Sequence, residues 1–246
     1  MGAALRLEAV SKSFGGLRAV DGVQLAVRAG ERRALIGPNG AGKTTLFNLI
    51  AGALPVTAGR ITLFDQDVTG MAQHRRAALG LARTFQITNL FPTLTVLQNA
   101  VLAAQARTPA RFAMLRPVSR FAELETRARQ ALGAVGLDDR AGSRVRHLSH
   151  GEQRQLEIAL ALAGQPRVLL LDEPAAGLSQ AEAQLMTALL QRLDPAITLL
   201  IIEHDMDIAL EVARDVTVLH YGRVIADGPR DVVRADPMVR EIYLGA

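Results

Sequence analysis

The stretch Gly37–Thr45 reads GPNGAGKTT and satisfies the pattern G-x-x-x-x-G-K-[ST]. An apolar run at 34–37 precedes it, and an apolar helical pattern over about 42–52 follows it. A strand, a glycine-rich loop and a helix in this order direct successive backbone N–H groups at phosphate oxygens, at the positive end of the helix. The sequence therefore predicts a loop that binds the phosphates of a nucleoside triphosphate.

Two side chains of this loop carry the predicted chemistry. Lys43 is expected to reach the β and γ phosphates, and the Thr44 hydroxyl is expected to ligate Mg²⁺. Of the 28 lysines and arginines in the chain, only Lys12 and Lys43 are lysines, so a chance match to the pattern is rare. The other nucleotide contacts predicted for this loop are Asn39, Gly40, Ala41, Gly42 and Thr45.

Composition excludes several classes of protein. The chain has 246 residues, 49% of them hydrophobic and 21% charged, which is typical of a packed globular domain. A net charge of +4 is too small to predict nucleic-acid binding. The chain has no cysteine, which excludes disulfide bonds, thiolate metal sites and cysteine catalysis. The N-terminus lacks the pattern of a signal peptide, and we expect a cytoplasmic protein.

Apolar patterning predicts an α/β fold. Alternation over 5–10, 23–28 and 60–68 predicts half-buried antiparallel strands. Continuous apolar runs predict strands buried on both faces of a parallel sheet, at 34–37, 168–171 and 198–202. Helical patterns separate these runs, at about 42–52, 95–106, 121–136, 150–163 and 180–192. We therefore expect a mixed sheet with an antiparallel β portion and an inserted α-helical subdomain.

Polar residues follow the second and third apolar runs. Asp172 is expected to hold the Mg²⁺ shell and Glu173 to orient and deprotonate the attacking water. Neighbouring residues of a strand point to opposite sides, so the two acids serve different ligands only where the strand ends, as Pro174 favours. His204 follows the third run at the carboxyl edge of the sheet, where we expect it to contact the γ phosphate.

Three sequence patterns predict capped helix starts. The segments 149–152 and 179–182 read S-x-x-E, and each predicts a capping box before a helix. Thr95 and Gln98 form the same pattern at the start of a helix at about 96. A capped N-terminus with a serine hydroxyl and the Gly151 backbone is also suited to an anion.

Five motifs in order resemble the ATP-binding-cassette ATPases: GPNGAGKTT at 37–45, a glutamine at 86, LSHGEQ at 148–153, LLLDEP at 169–174 and EHD at 203–205. The resemblance covers nearly the whole chain and implies one ATPase domain over 1–246. Within it, 1–86 and about 151–246 would form a RecA-like and antiparallel β core. About 87–150 would form a helical subdomain that includes the start of the signature helix. The implied reaction is hydrolysis of ATP to ADP and phosphate with Mg²⁺.

The resemblance also implies residue roles that spacing alone does not single out. Phe14 would stack on adenine, and Gln86 would join the Mg²⁺ and water shell to a membrane subunit. Ser149 and Gly151 would donate to the γ phosphate of the opposite protomer, and His204 would act as a switch. Two ATP molecules would lie in a head-to-tail dimer, either a homodimer or a heterodimer with a paralogue.

Finer features narrow the resemblance: RTFQ at 83–86, NLFPTLTV at 89–96, DEPAAGL at 172–178 and DPMVREIYLGA at 236–246. These look like the longer ATPase subunit of high-affinity branched-chain amino-acid importers. The implied partners are transmembrane permease subunits and, indirectly, a periplasmic or extracellular solute-binding protein, with no nucleic acid. The implied location is peripheral, on the cytoplasmic face of the cell membrane. A urea or amide importer and a lipopolysaccharide-export ATPase are the alternatives.

The segment 84–106 contains no charged residue. We expect a loop over 87–94 with Leu90, Phe91 and Leu94 pointing outward. The resemblance implies that this region lines a groove for a short cytoplasmic helix of the membrane subunit. The alternative is that these three side chains pack inside the helical subdomain.

Overall fold

The computed structural model describes residues 2–84, 90–106 and 122–244 of the chain. The strands of the described ranges are β1 Ala3–Phe14, β2 Leu17–Arg28, β3 Arg32–Ile36, β4 Ala58–Leu63, β5 Gln66–Asp67, β6 Leu81–Arg83, β7 Val168–Asp172, β8 Thr198–Ile202, β9 Asp215–His220 and β10 Arg223–Pro229. The α-helices are α1 Lys43–Ala51, α2 Gln73–Ala78, α3 Val96–Ala106, α4 Ala122–Ala134, α5 His150–Ala163, α6 Gln180–Arg192, α7 Met206–Val212, α8 Arg230–Ala235 and α9 Pro237–Leu244.

The strands form two sheets. The first is antiparallel, with the order β2-β1-β4-β5. The second has the order β10-β9-β3-β8-β7-β6. In the second sheet β3 is parallel to β8 and β9, β7 is parallel to β8, and β10 is antiparallel to β9. The predicted mixed sheet with an antiparallel portion is confirmed.

The strands predicted from continuous apolar runs are the central ones. Every residue of β7 and β8 is buried, as is all of β3 after its first residue. Sequence patterning missed β9 and β10, because the polar residue Thr217 interrupts the apolar run. Thr217 is nevertheless fully buried, since its hydroxyl donates to Asp227 Oδ1 at 2.6 Å and accepts from Arg33 Nη1 at 2.9 Å. A hydrogen bond from a neighbouring strand thus satisfies a residue that looks exposed in the sequence.

The chain divides into two compact units. One contains Met1–Leu81, Arg167–Glu173 and Asp194–Ala246, and with them the phosphate loop and the edge of the second sheet where β7 and β8 end. The other contains Ala82–Pro166 and Pro174–Leu193, and with them α3, α4, α5 and α6. The division expected from the family resemblance, with a helical subdomain over about 87–150, stays a prediction.

In the helical unit, α3, α4 and α5 pack against one another. The helix starts are those that the capping patterns predict: Ser149 and Ser179 each form a full capping box. Thr95 Oγ1 accepts from the Gln98 N–H at 3.1 Å, and Gln98 Oε1 accepts from the Thr95 N–H at 2.8 Å. None of the described helices is long and apolar enough to cross a membrane.

The loop before α3 presents one large apolar side chain. Phe91 is 55% exposed, whereas Leu90 and Leu94 are half-buried. The expectation that all three point outward is therefore right for Phe91 and wrong for the two leucines, which contribute part of their surface to packing. Residues 87–89 of the expected loop, and Gln86 before it, lie outside the described residues.

A buried arginine holds the far end of α1. Arg76 is only 1% exposed, and Nη1 donates to the carbonyls of Leu49 and Ile50 at 2.7 and 2.8 Å. Its Nε donates to the Met71 carbonyl at 2.9 Å, and its Nη2 donates to the Thr69 carbonyl at 3.0 Å. Since Leu49 and Ile50 form the last turn of α1, a positive charge caps the negative end of the helix that follows the phosphate loop.

We expect Arg76→Met to destabilise the protein by about 2–5 kcal/mol, because several buried carbonyls lose their donor at once. The control is Arg75→Met, which changes the preceding, exposed arginine of the same helix. Urea denaturation of both variants without nucleotide measures the free energy of unfolding. Equal stability of the two variants would show that the carbonyls do not depend on Arg76.

Candidate nucleotide-binding site

The phosphate loop connects β3 to α1 and is pressed between neighbouring backbone segments. A Cβ at Gly37 would lie 2.2 Å from the Leu219 carbonyl oxygen, and one at Gly42 would lie 2.3 Å from the Ala19 carbonyl oxygen. Gly42 also has a φ of 101°, which glycine adopts readily. It caps α1 without a side-chain hydrogen bond, so the N–H groups of the first turn are presented to a ligand.

Lys43 is the first residue of α1, and its side chain is held across the loop. Its Nζ donates to the carbonyls of Gly37 at 2.6 Å and Pro38 at 3.0 Å. Burial lowers the pKa of Lys43, while the carboxylates of Glu173 and Asp172 act to raise it. The ammonium therefore lies in the field of the two acids that end β7. Thr44 and Thr45 follow in the same helical turn.

The backbone turns sharply at the end of β7. Asp172, its last residue, is 2% exposed. Glu173 has a φ of +48°, a left-handed conformation that is strained for a residue with a long side chain. Its N–H donates to the Ile202 carbonyl of the neighbouring strand at 3.0 Å. The predicted end of the strand between the two acids is therefore confirmed, and strain of this kind is typical of functional sites.

His204 lies two residues beyond β8, at the edge where Glu173 is bonded to Ile202. Its side chain is 59% exposed, and Nδ1 lies 3.9 Å from Oε2 of Glu203. Glu203 is completely buried. An exposed imidazole thus lies next to a buried carboxylate, at the same edge of the sheet as the two acids.

Phe14 ends β1 at the tip of the β1–β2 hairpin. It is 46% exposed, and Nζ of Lys12 lies 5.1 Å from the centroid of its ring. The Ala19 carbonyl of β2 is the group that approaches Gly42 so closely. The hairpin that carries Phe14 therefore lies beside the phosphate loop, as a base-stacking residue would require.

The turn between β9 and β10 is a part of the site that sequence reasoning missed. The Gly222 N–H donates to the Ala41 carbonyl of the phosphate loop at 2.9 Å. The Gly222 carbonyl accepts from the Asp21 N–H of β2 at 2.8 Å. The apolar residues Val216 and Val218, followed by a Tyr-Gly turn, are the signal that would have predicted this hairpin.

Ser149 and Gly151 lie in the helical unit at the start of α5. Oγ of Ser149 accepts from the Glu152 N–H at 3.2 Å. The pKa of Glu182 is lowered by hydrogen bonds from Ser179 and, to a smaller extent, from the Gly151 backbone. A Cβ at Gly151 would lie 2.8 Å from Oε1 of Glu182, so a larger residue would displace this carboxylate. The capping is confirmed, and the role toward a second protomer stays a prediction.

The donor set suits Mg²⁺. The Thr44 hydroxyl and the Asp172 carboxylate are hard oxygen ligands, and they lie on elements that meet at Lys43. Within the described ranges, no cluster of three or more His, Asp or Glu side chains is placed to hold a metal ion. Mg²⁺ needs no such cluster, because phosphates and waters commonly fill most of its octahedral shell.

Comparison with known proteins agrees with this geometry. The ABC transporter family model matches residues 20–176. The chain is 37% identical to BraF of Pseudomonas aeruginosa, a high-affinity branched-chain amino acid transport ATP-binding protein, over 98% of this chain and 97% of that one. It is 38% identical to the protein of the same description, LivG, of Escherichia coli, with the same coverage. A crystal structure of the ADP conformation of MJ1267, an ATP-binding cassette of an ABC transporter, superposes with a TM-score of 0.87 at 32% identity over 100% of both chains.

Gly42 and Gly40 offer a matched test of the close approach at the loop. Both have left-handed backbones, but a Cβ at Gly40 meets no atom within 4 Å. We expect Gly40→Ala to cost about 1 kcal/mol of backbone strain. Gly42→Ala should cost about 3 kcal/mol or more, because the loop must also move away from Ala19. Urea denaturation without nucleotide measures both, and equal losses would contradict the close approach.

Proposed function

The chain belongs to the ABC transporter family, and we propose that it hydrolyses ATP to drive uptake of branched-chain or related amino acids through partner membrane subunits. The observation that carries the proposal is the buried Lys43, which faces Asp172 and Glu173 across the phosphate loop. Its relatives BraF and LivG, which align over nearly their whole length, support the class of solute.

Nucleotide binding is assigned to the loop and the hairpin. The N–H groups of the loop and of the first turn of α1 would cradle the phosphates, with Lys43 reaching the β and γ groups. Phe14 would stack on the adenine. The remaining loop contacts are Asn39, Gly40, Ala41, Gly42, Thr44 and Thr45.

Hydrolysis is assigned to the edge where β7 and β8 end. Glu173, which follows the end of β7 with a left-handed backbone, would accept a proton from the attacking water. His204 would donate to the γ phosphate. Thr44, Asp172 and Gln86 would hold Mg²⁺, which supplies neutralisation of the charge that develops on the phosphates.

The working assembly would contain two ATPase subunits and two ATP molecules. Ser149 and Gly151, at the start of α5, would complete the site of the opposite protomer, in a homodimer or with a paralogue. Permease subunits would anchor the dimer peripherally at the cytoplasmic face of the membrane. A solute-binding protein on the other side would deliver the amino acid.

Two substitutions separate binding from hydrolysis. We expect Lys43→Ala to abolish hydrolysis by weakening ATP binding, because Lys43 contacts ground-state phosphates. We expect Glu173→Gln to keep ATP affinity but to lower kcat about 100-fold or more, because the glutamine cannot accept the proton. Size-exclusion chromatography with ATP and Mg²⁺ should then show a dimer of the Glu173→Gln chain.

The control for these variants is Glu123→Gln, which changes a carboxylate that is 89% exposed on α4. It should match the unmodified chain in affinity, turnover and elution. If the Glu173→Gln chain turned over ATP at the rate of this control, Glu173 would lose the role of base.

Phe91 is the proposed anchor for the membrane subunit. Asn99, which is 2% exposed, fixes the loop: its Oδ1 accepts from the Phe91 N–H at 2.9 Å, and its Nδ2 donates to the Phe91 carbonyl at 3.2 Å. A buried amide thus holds the backbone of an exposed aromatic residue. Such an arrangement presents the ring to a partner at a small cost in conformational entropy.

We expect Phe91→Ser to reduce copurification with the permease subunits about tenfold or more, since burying a phenylalanine contributes about 1.5–3 kcal/mol. Thermal melting and ATP affinity should be unchanged, because the ring is outside the core. The control is Leu185→Ser, at a 60% exposed leucine on α6 of the same unit. Normal copurification of a stable Phe91→Ser chain would remove Phe91 from the docking surface.

A further inference from the structure

We infer that Lys12 and Asp21 are positioning residues: they hold the ring of Phe14 in the place where the nucleotide base stacks. The inference rests on the proposed role of Phe14 as the base-stacking residue. Neither side chain needs to touch the nucleotide. Lys12 would act on the ring itself, and Asp21 would act on the hairpin tip that carries the ring.

The hairpin tip has no core of its own. All residues from Phe14 to Arg18 are exposed. The pairing of β1 with β2 is irregular on both sides of Lys12, with register shifts before and after its pair with Val20. Regular strand pairing therefore does not fix the position of the ring, and other interactions have to do so.

Lys12 covers one face of the ring. Its ammonium lies 5.1 Å from the centroid, within the range of a cation–π interaction. It makes no ion pair with any residue of the described ranges, so no carboxylate there competes with the ring for its charge. An aromatic ring has two faces, and a cation on one face leaves the other for a base.

Asp21 ties the hairpin to the phosphate loop. Its Oδ1 accepts from Arg18 Nη1 at 2.8 Å, and its Oδ2 accepts from Arg223 Nε at 2.7 Å and Nη2 at 2.6 Å. Arg18 pairs with Ser13, the residue next to Phe14. Arg223 follows Gly222, whose N–H is bonded to Ala41 of the phosphate loop.

Asp21 is the least exposed member of this network, whereas Arg18 and Arg223 are largely exposed. The side chain of Asp21 is only 16% exposed, and hydrogen bonds from Arg223 and Arg18 lower its pKa, so it is ionised at neutral pH. The Asp21 N–H adds a backbone hydrogen bond to Gly222 at 2.8 Å. The network links the hairpin tip to the turn that is bonded to the phosphate loop, and a link made before a ligand arrives favours preorganised binding.

The composition of the chain is consistent with a special place for Lys12. Of 28 lysines and arginines, the only two lysines are Lys12 and Lys43, and the fold brings both to the phosphate loop and its neighbouring hairpin. An ammonium is a compact point charge, whereas a guanidinium is a plane that stacks on aromatic faces. Either group supplies the cation, so arginine is the conservative replacement at this position.

The test compares ATP with inorganic tripolyphosphate, which has the phosphates but no base. Calorimetry with Mg²⁺ gives Kd for both ligands with the full chain and its variants. We expect Lys12→Met and Asp21→Asn each to raise Kd for ATP about two- to five-fold and to leave Kd for tripolyphosphate unchanged. Lys12→Arg should restore the affinity for ATP. KM for ATP should rise in both weakened variants while kcat stays constant.

The control is Asp67→Asn, which breaks an exposed ion pair with Arg60 in the same unit. Arg60 pairs with Glu8 of β1, six residues along the strand from Phe14 at the hairpin tip. Asp67→Asn should leave Kd for both ligands unchanged. In a chain that already carries Phe14→Ala, adding Lys12→Met or Asp21→Asn should have no further effect, because the residue through which they act is gone.

The outcomes separate this inference from the proposed function. If Lys12→Met and Asp21→Asn weaken ATP and tripolyphosphate equally, or still weaken ATP after Phe14→Ala, they do not act through the ring and the inference is wrong. It is also wrong if Phe14→Ala selectively weakens ATP while neither variant does, although base stacking then stands. If Phe14→Ala itself leaves the ratio of the two Kd values unchanged, the base-stacking role of Phe14 fails first.

Discussion

The site depends on backbone segments that approach the phosphate loop more closely than any side chain would permit. Leu219 of β9 and Ala19 of β2 place their carbonyl oxygens where a Cβ of Gly37 or Gly42 would stand. Two strands from different sheets thus confine one loop, and a hydrogen bond from Gly222 to the loop adds a third constraint. A loop confined in this way keeps its N–H groups aligned before a phosphate binds, so little reorganisation is needed on binding.

The electrostatics of the site follow from this confinement. Nζ of Lys43 is bonded to two carbonyls of the loop, and burial disfavours its charge while Glu173 and Asp172 favour it. A bound phosphate would offset the cost of burying the Lys43 charge, because it brings negative charge to a desolvated ammonium. The two acids differ in what their backbone allows: Asp172 continues the strand, and Glu173 adopts a strained left-handed turn. The strained residue lies at the edge of the sheet where the γ phosphate is expected, and strain of this kind is typical of functional sites.

The sequence predicts the strands and helix starts that local patterns determine. It misses the features that depend on contacts between residues far apart in the chain. Continuous apolar runs located β3, β7 and β8, and S-x-x-E patterns located the starts of α5 and α6, because burial and capping act over a few residues.

The strand β9 was missed since Thr217 is buried only through its bonds to Arg33 and Asp227. Arg76 was missed for the same reason, because nothing in its surroundings along the chain indicates that it caps α1. Leu90 and Leu94 show the same limit of prediction in a loop. Tertiary contacts decide whether an apolar side chain there is exposed, like Phe91, or partly packed, like these two leucines.

The same distinction applies within the site. The phosphate-loop motif identifies Lys43 without a structure, because the chemistry requires a lysine at a fixed spacing from glycines. No comparable pattern identifies Asp21, since its partners Arg18 and Arg223 are separated by more than two hundred residues and meet only when β2 and β10 come together. Contacts of this kind connect the hairpin, the loop and the β9–β10 turn into one unit. The residues expected to perform the chemistry are therefore predicted from the sequence, whereas the contacts that position them are known only from the folded chain.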